Sequence, residues 1–252
     1  MATTPNEVWS WDITQLRAGQ KWVYLYLYVV LDIFSRAVVG WMVASKETAS
    51  LAARLVEETC AKHDVQPGTL VLHADRGTQM TSKTLAQLLA DLEVGASHSR
   101  PQVSNDNPFS ESQFKTMKYH SSFPGKFANV DDAVAFGRTF FAWYNGEHRH
   151  SGIAYLTPNE VHEGRGDEVL ERRHAVMMAA FAAHPERYPR GAPRRQTLPA
   201  AVYINAPASA LPPSSSSSPS KTERSEVRAT TTRMVATAAS SESELLTPEV
   251  VH

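Results

Sequence analysis

The chain has 252 residues, of which 42% are hydrophobic and 20% are charged, and its formal net charge is −1 at pH 7. This composition is typical of globular domains, and the near-neutral charge argues mildly against a protein that coats nucleic acid nonspecifically. No apolar run is long enough to span a membrane, and the N-terminus lacks the basic stretch and apolar core of a secretory signal.

The first part of the chain has the pattern of three consecutive strands. Residues 7–14 alternate at period two, with Asp12 on the less apolar face. Residues 22–32 are a run of aromatic and β-branched residues that suits a buried strand, and residues 37–44 follow after a tight turn. Their short links predict an antiparallel meander. The aromatic residues expected in the core are Trp9, Trp11, Trp22 and Tyr24.

Helices and strands then alternate. Apolar residues at helical spacing predict helices at 48–63 and 82–92, the second with Ser82 as its N-cap. Short apolar strands are predicted at 69–75 and 95–99. This order predicts an α/β fold, in which a mixed sheet is flanked by helices on both faces.

A polar loop at 100–106 leads into the next helix. Asn107 at the N-cap with Pro108 in the first helical position is a strong start signal, and Glu111 falls in the first turn. Later helices are predicted at 130–144 and from 157–158. From about residue 208 the chain is rich in Ser and Pro and poor in large apolar residues, so we expect disorder there.

Three acidic residues are notable for their positions. Asp12 lies within the first strand, Asp75 ends the fourth, and Glu111 begins a helix. If the first and fourth strands are neighbours, the three carboxylates can converge at the carboxyl end of the sheet. Taken singly, each acid also fits a turn, a cap or a helix-dipole role.

Converging carboxylates without a histidine or cysteine cluster suit hard cations such as Mg²⁺ or Mn²⁺. Two such ions about 4 Å apart can activate the attacking oxygen and stabilise the leaving oxygen in an in-line displacement at phosphorus. Chemistry of this kind would account for all three acids.

The local sequences around these acids resemble the catalytic core of insertion-sequence transposases, the DDE type related to retroviral integrases. The matching stretches are WDIT at 11–14, DIFSR at 32–36, HADRGTQ at 73–79, SNDNPFSE at 104–111, FKTMK at 114–118, WYN at 143–145, HRHS at 148–151 and TP at 157–158. The 35 residues between Asp75 and Glu111, and the position of Lys118 seven residues beyond Glu111, are also typical of this family.

The resemblance implies a ribonuclease-H-like fold and a polynucleotidyl transferase that depends on Mg²⁺ or Mn²⁺. By direct motif match it also implies that Asp12, Asp75 and Glu111 are the catalytic residues and the metal ligands. It implies DNA integration and transposition in two reactions at one site: nicking at the element's ends, then attack of the freed 3′-hydroxyl on target DNA. The expected domains are an integrase-like catalytic core at 1–165, a helical extension at 166–206 and a Ser/Pro-rich disordered tail at 207–252.

Lys115 and Lys118 follow Glu111 by four and seven residues, which places them on the same helix face. We expect them to bind the DNA backbone, although a solvated helix edge is the alternative. Asp106 is a less favoured substitute for Glu111 as a ligand. His73 is expected to pack or hydrogen-bond beside its strand end, and the histidines at 148 and 150 are expected to have a loop role.

The expected partner is double-stranded DNA, both element ends and target, bound by a homo-oligomer. The chain begins eleven residues before Asp12, so a helix-turn-helix module would have to be supplied by another subunit or by a longer protein. A single cysteine, Cys60, fits a reducing cytoplasm, and no membrane role is expected. The alternative functions are a ribonuclease-H-like nuclease and a noncatalytic DNA-binding regulatory remnant of a transposase.

Overall fold

The computed structural model describes residues 1–75, 82–98 and 107–204. Within these ranges the strands are β1 Val8–Arg17, β2 Tyr24–Asp32, β3 Val38–Ala44, β4 Val71–Ala74 and β5 Gly95–His98. The α-helices are α1 Ala49–Lys62, α2 Lys83–Asp91, α3 Pro108–Lys118, α4 Val130–Gly146, α5 Pro158–His162 and α6 Gly166–Ala183. The predicted polar loop at 100–106 and the tail at 207–252 lie outside the described residues.

The strands form one sheet in the order β3-β2-β1-β4-β5. The first three strands pair antiparallel, whereas β4 pairs parallel with both β1 and β5. This confirms the predicted meander with added parallel strands. It also makes β1 and β4 neighbours, which is the condition for Asp12 and Asp75 to approach each other.

Helices cover both faces of the sheet, as predicted. On one face Trp9 and Trp11 are fully buried in a cluster with side chains of α1 and α2. On the other face leucines of β1 and β2 pack with α3 and α4, whose contributions include Phe114, Met117 and Phe140. The period-two alternation of β1 therefore directs its side chains into two separate hydrophobic clusters. Burial of each large apolar side chain there contributes about 1.5–3 kcal/mol to the free energy of folding.

The predicted helix starts are confirmed at α2 and α5. Ser82 accepts a hydrogen bond from the backbone N–H of Leu85 at 3.2 Å. Thr157 and Glu160 form a reciprocal capping box at the start of α5. Each bond satisfies a backbone N–H that has no partner within its helix, so these local signals could be identified from sequence.

The prediction that Trp22 is a core residue is wrong. β1 continues to Arg17, which pairs with Tyr24 of β2, so Trp22 lies in the turn between the two strands. Its side chain is 77% exposed and its φ is +67°. By contrast, Trp9 and Trp11 are both fully buried. Strand composition alone did not reveal where the hairpin turns.

The C-terminal part of the described chain returns to the N-terminus. Val169 and Leu170 of α6 are buried in a third cluster that includes Ala2 and Val202. The backbones of Ala2 and Val202 also pair as an isolated antiparallel bridge. The domain boundaries at 165 and 206 stay predictions.

Over the described ranges, none of the helices has both the length and the apolar character needed to cross a membrane.

Candidate active site

Two of the three predicted acids lie side by side on neighbouring strands. Asp12 is within β1, and Asp75 directly follows the last residue of β4. These strands run parallel with Trp11 paired to Ala74, so the next residue on each strand is one of the two acids. Because paired strands are about 4.8 Å apart, this register brings the two acids together at the carboxyl end of β4.

The third acid, Glu111, reaches the same region from α3. The helix packs against β1 on the face toward which Ser10, Asp12 and Thr14 point. Glu111 is exposed in its first turn, and its charge acts on the Asp12 carboxyl. The fold therefore brings together all three acids singled out in the sequence.

A buried polar cluster holds the start of α3 against β1. The Ser10 hydroxyl donates to Oδ1 of Asn107 at 2.5 Å and lies 2.7 Å from the hydroxyl of Ser110. The side-chain amide of Asn107 donates to the carbonyl oxygen of Trp11 at 3.3 Å. These contacts flank Asp12 on β1 and Glu111 on α3, so they fix the distance between the two elements that carry these acids.

Sequence analysis did not identify this cluster. Asn107 occupies the predicted N-cap position of α3, but its side chain makes no capping hydrogen bond. Instead it faces β1, where Ser10 is fully buried. One sequence feature could have indicated the cluster. Ser10 is a small polar residue two positions before Asp12, on the same face of β1, which a helix would cover.

The electrostatics of Asp12 reflect its neighbours. Burial is the largest cause that raises the pKa of its carboxyl, which reaches about 7. The backbone N–H of Ile13 donates to it at 2.7 Å and opposes this rise. The charges of Asp75 and Glu111 raise the pKa further, while Lys118 lowers it. Such an environment favours a bound proton or another cation at this position.

The donor chemistry of the site fits a hard divalent cation, since all three side chains offer carboxylate oxygens. However, the described residues contain no group of three acidic, histidine or cysteine side chains already gathered at metal-binding distances. The charges of Asp75 and Glu111 act on Asp12, but the three carboxylates are not at the distances that would bind one ion together. Binding a cation would therefore require these side chains to move closer together.

The two predicted DNA-binding lysines lie on the exposed side of α3. The Nζ of Lys118 donates to Oγ1 of Thr14 at 2.7 Å, which places it beside Asp12. Burial lowers the pKa of Lys118, and the nearby charge of Asp12 raises it. Lys115 is exposed one turn earlier. This half of the site adds positive charge next to the acids.

The histidines singled out in the sequence make other contacts. His73 is buried, and its Nδ1 lies 3.1 Å from the hydroxyl of Ser97, as expected for a packed strand-end residue. The rings of His148 and His150 pack together at 4.4 Å in the loop after α4. Burial lowers the pKa of His150 to about 4, so it is neutral near physiological pH. Asp106 lies outside the described residues.

Comparison with known protein families matches the chain to the integrase core domain in two parts. One integrase core model matches residues 2–104, and a second matches residues 92–158. The chain is also similar to the transposase of insertion sequence element IS904 from Lactococcus lactis, with 34% identity over 63% of this chain and 62% of the relative. It is 32% identical to the Escherichia coli transposase InsF of IS3A over 63% of this chain and 54% of that protein.

The chain thus spans between about half and two thirds of the length of these curated relatives. Among solved structures, it is similar to a chain of the simian T-cell lymphotropic virus intasome bound to the PP2A regulatory subunit B56 gamma. That match has a TM-score of 0.53 and 19% identity, and covers 65% of this chain and 56% of the other. It supports the predicted ribonuclease-H-like fold.

Proposed function

We propose that this chain, which matches the integrase core domain over residues 2–104 and 92–158 and is similar to insertion-sequence transposases, cuts and joins DNA strands as a polynucleotidyl transferase. The observation that carries this proposal is the approach of Asp12, Asp75 and Glu111 from β1, β4 and α3. The substrates would be the ends of a mobile element and the target DNA.

We assign the roles of catalytic residue and metal ligand to these three acids. The chemistry supplied by a bound pair of Mg²⁺ or Mn²⁺ ions is activation of the attacking oxygen and stabilisation of the leaving oxygen at phosphorus. Asp12 supports this assignment because its carboxyl, buried and facing two other acids, is poorly stabilised in its charged form. Asp75 and Glu111, whose charges act on Asp12, would supply further carboxylate oxygens.

Lys115 and Lys118 would hold the DNA backbone beside the acids. Lys118 has the stronger support, since its hydrogen bond to Thr14 keeps its ammonium group near Asp12. Lysines act on phosphates mainly as point charges, so they position the strand without reading its sequence. A phosphate held by Lys118 on one side and by cations at the three acids on the other would be oriented for attack.

A cleavage and joining assay tests this function directly. We would incubate the protein in Mg²⁺ with labelled duplex from the DNA that flanks its own gene, and with plasmid as target. Plasmid nicking does not require recognition of an element end, which matters because the chain spans only part of its relatives' length. We expect nicked and joined products, both lost by more than about a hundredfold in Asp75→Asn, since ion-assisted chemistry is worth several kcal/mol.

The matched control is Asp91→Asn at the exposed end of α2, which should leave both reactions unchanged. Nicks without joined products would instead indicate a ribonuclease-H-like nuclease. DNA binding without any Mg²⁺-dependent product, unchanged by Asp75→Asn, would indicate a noncatalytic regulatory protein and refute the proposal.

Handling two element ends requires more than one active site in one assembly, so we propose a homo-oligomer on DNA. This rests on family analogy. Sizing the protein with and without paired end DNA would test it, and a mass that stays monomeric on DNA would contradict it. We further propose that end recognition comes from a helix-turn-helix segment in a longer protein or separate subunit, and that the protein acts in the cytoplasm.

A further inference from the structure

The turn between β1 and β2 exposes a large aromatic side chain. Trp22 is 77% exposed, whereas Trp9 and Trp11 are fully buried. The ammonium group of Lys21 lies over the ring of Trp22, 5.3 Å from its centroid. An indole held in water with a cation on one face leaves its other face open for a flat aromatic ligand.

This turn also lines a hollow whose charged side chains are all positive. The cavity is about 430 Å³ and its walls include Trp22, Tyr24 and the cationic side chains of Arg17, Lys21 and Lys126. Among the described residues that line it, none is acidic. Two aromatic rings beside three cations match a nucleotide, which presents a flat base and an anionic phosphate.

The hollow is held in shape by backbone contacts. The N–H of Phe127 donates to the carbonyl oxygen of Arg17 at 2.9 Å, which fixes Lys126 beside the hairpin. Within the turn, the N–H of Ala18 donates to the carbonyl oxygen of Val23 at 3.0 Å. The chain between them places the Trp22 side chain outward through a positive φ of +67°. A preformed site of this kind loses little conformational entropy when a ligand binds.

A track of basic residues connects the hollow to the candidate active site. Lys118, bonded to Thr14, lines a second depression of about 350 Å³ together with Gln15 and Arg17. Arg17 lies five residues beyond Asp12 on β1, which corresponds to about 17 Å at roughly 3.3 Å per residue. At the roughly 3.4 Å per nucleotide of a stacked strand this spans about five nucleotides, and fewer where the strand is unstacked and extended.

We propose that the hairpin tip binds single-stranded DNA adjoining the cleavage site, with one unpaired base stacked on Trp22 and its phosphates held by Arg17 and Lys126. This inference rests on the proposed function and adds a second contact within about five nucleotides of the scissile phosphate. An unpaired base is specified because an indole ring reaches the face of a base only where the base is unstacked from its neighbours.

The test is binding of the full chain to a labelled 12-nucleotide oligo(dT) and to a 12-base-pair duplex, measured by anisotropy in EDTA. Stacking on an aromatic ring contributes substantially to single-strand affinity, so Trp22→Ala should weaken oligo(dT) binding about tenfold. Duplex binding should change less than about twofold, and Trp22→Phe should restore most of the affinity. Tyr155→Ala, which removes another exposed aromatic ring, is the matched control and should have no effect.

Two further measurements separate stacking from charge. Arg17→Gln should reduce the slope of log affinity against log salt by about 0.7 on oligo(dT), whereas Trp22→Ala should leave this slope unchanged. Bound oligo(dT) should shield the wild-type protein from acrylamide quenching of its exposed tryptophan, and this shielding should be absent in Trp22→Phe.

Unchanged oligo(dT) affinity in Trp22→Ala would overturn the inference, and so would an equal loss on single strand and duplex. Because binding is measured without divalent ions, the result does not depend on cleavage. A protein that fails to cut DNA but binds oligo(dT) through Trp22 would refute the proposed catalysis alone. A protein that cuts DNA with unaltered binding in Trp22→Ala would refute only the hairpin contact.

Discussion

Replacing Asp12 by Asn should stabilise the metal-free protein, and the gain should depend on pH. The carboxyl has a pKa of about 7 in the folded protein against an ordinary value of 3.8. As pH rises from about 4 to 7, the unfolded chain releases this proton while the folded protein keeps it, so wild-type stability falls over that window. The difference of about three pKa units corresponds to about 4 kcal/mol above pH 7.

Asn has nearly the same shape as Asp, and its side-chain oxygen can still accept from the N–H of Ile13. We therefore expect Asp12→Asn to raise the free energy of unfolding in EDTA by up to about 4 kcal/mol at pH 8. At pH 4.5 the gain should shrink to about 1 kcal/mol. Since 1 kcal/mol shifts Tm by about 2–4 °C in a protein of this size, the gain at pH 8 is about 8–16 °C.

Urea unfolding followed by tryptophan fluorescence at both pH values measures this gain, with Asp91→Asn as an exposed control that should stay within about 0.5 kcal/mol. Equal stability of Asp12→Asn and wild type at pH 8 would refute the reasoning. A gain of the same size at pH 4.5 would also refute it, because the effect would then come from packing and not from the charge.

Three other changes follow from the same structure. The apparent affinity for Mg²⁺ should be about tenfold weaker at pH 6 than at pH 8, because a proton competes at Asp12; calorimetry showing no pH dependence would contradict this. Gly137→Ala should cost about 1–3 kcal/mol in urea unfolding, since an indole atom of β3 lies 2.6 Å from the added Cβ. Gly146→Ala in the same helix, with its nearest atom at 3.9 Å, should not be destabilising, and equal losses would contradict the packing argument. Asn107→Ala should cost about 1–3 kcal/mol by leaving buried groups unpaired, whereas exposed Ser112→Ala should be nearly neutral; the reverse order would be inconsistent with the cluster.

Much of the fold could be predicted because its signals are local. The alternation in β1 and the caps at Ser82 and Thr157 depend on residues a few positions apart, and each is observed. The approach of Asp12 to Asp75 was predicted only conditionally, because it requires β1 and β4 to be neighbours. Pairing between strands so distant along the chain carries no local sequence signal.

The errors and omissions have the same origin. Trp22 fits a strand by composition, but the register of β1 with β2 decides that it lies in the turn. Asn107 fits an N-cap by position, but its side chain accepts a hydrogen bond from buried Ser10 of β1 instead of capping α3. In both cases a contact between residues distant in sequence overrides a local preference. Trp22 belongs to the proposed single-strand contact, and Asn107 lies beside the proposed active site.

The pairing of β1 with β4, together with the attachment of α3 to β1, also bears on when the three acids can come together during synthesis of the chain. A nascent chain that has emerged only as far as Asp75, the residue after β4, holds Asp12 and Asp75 but not Glu111. The last acid comes into place only when Asn107 has docked on a strand made about a hundred residues earlier. Under the proposed function, a chain that ends before α3 would lack the third carboxylate, so we expect it to have no cleavage activity even if β1 and β4 have paired.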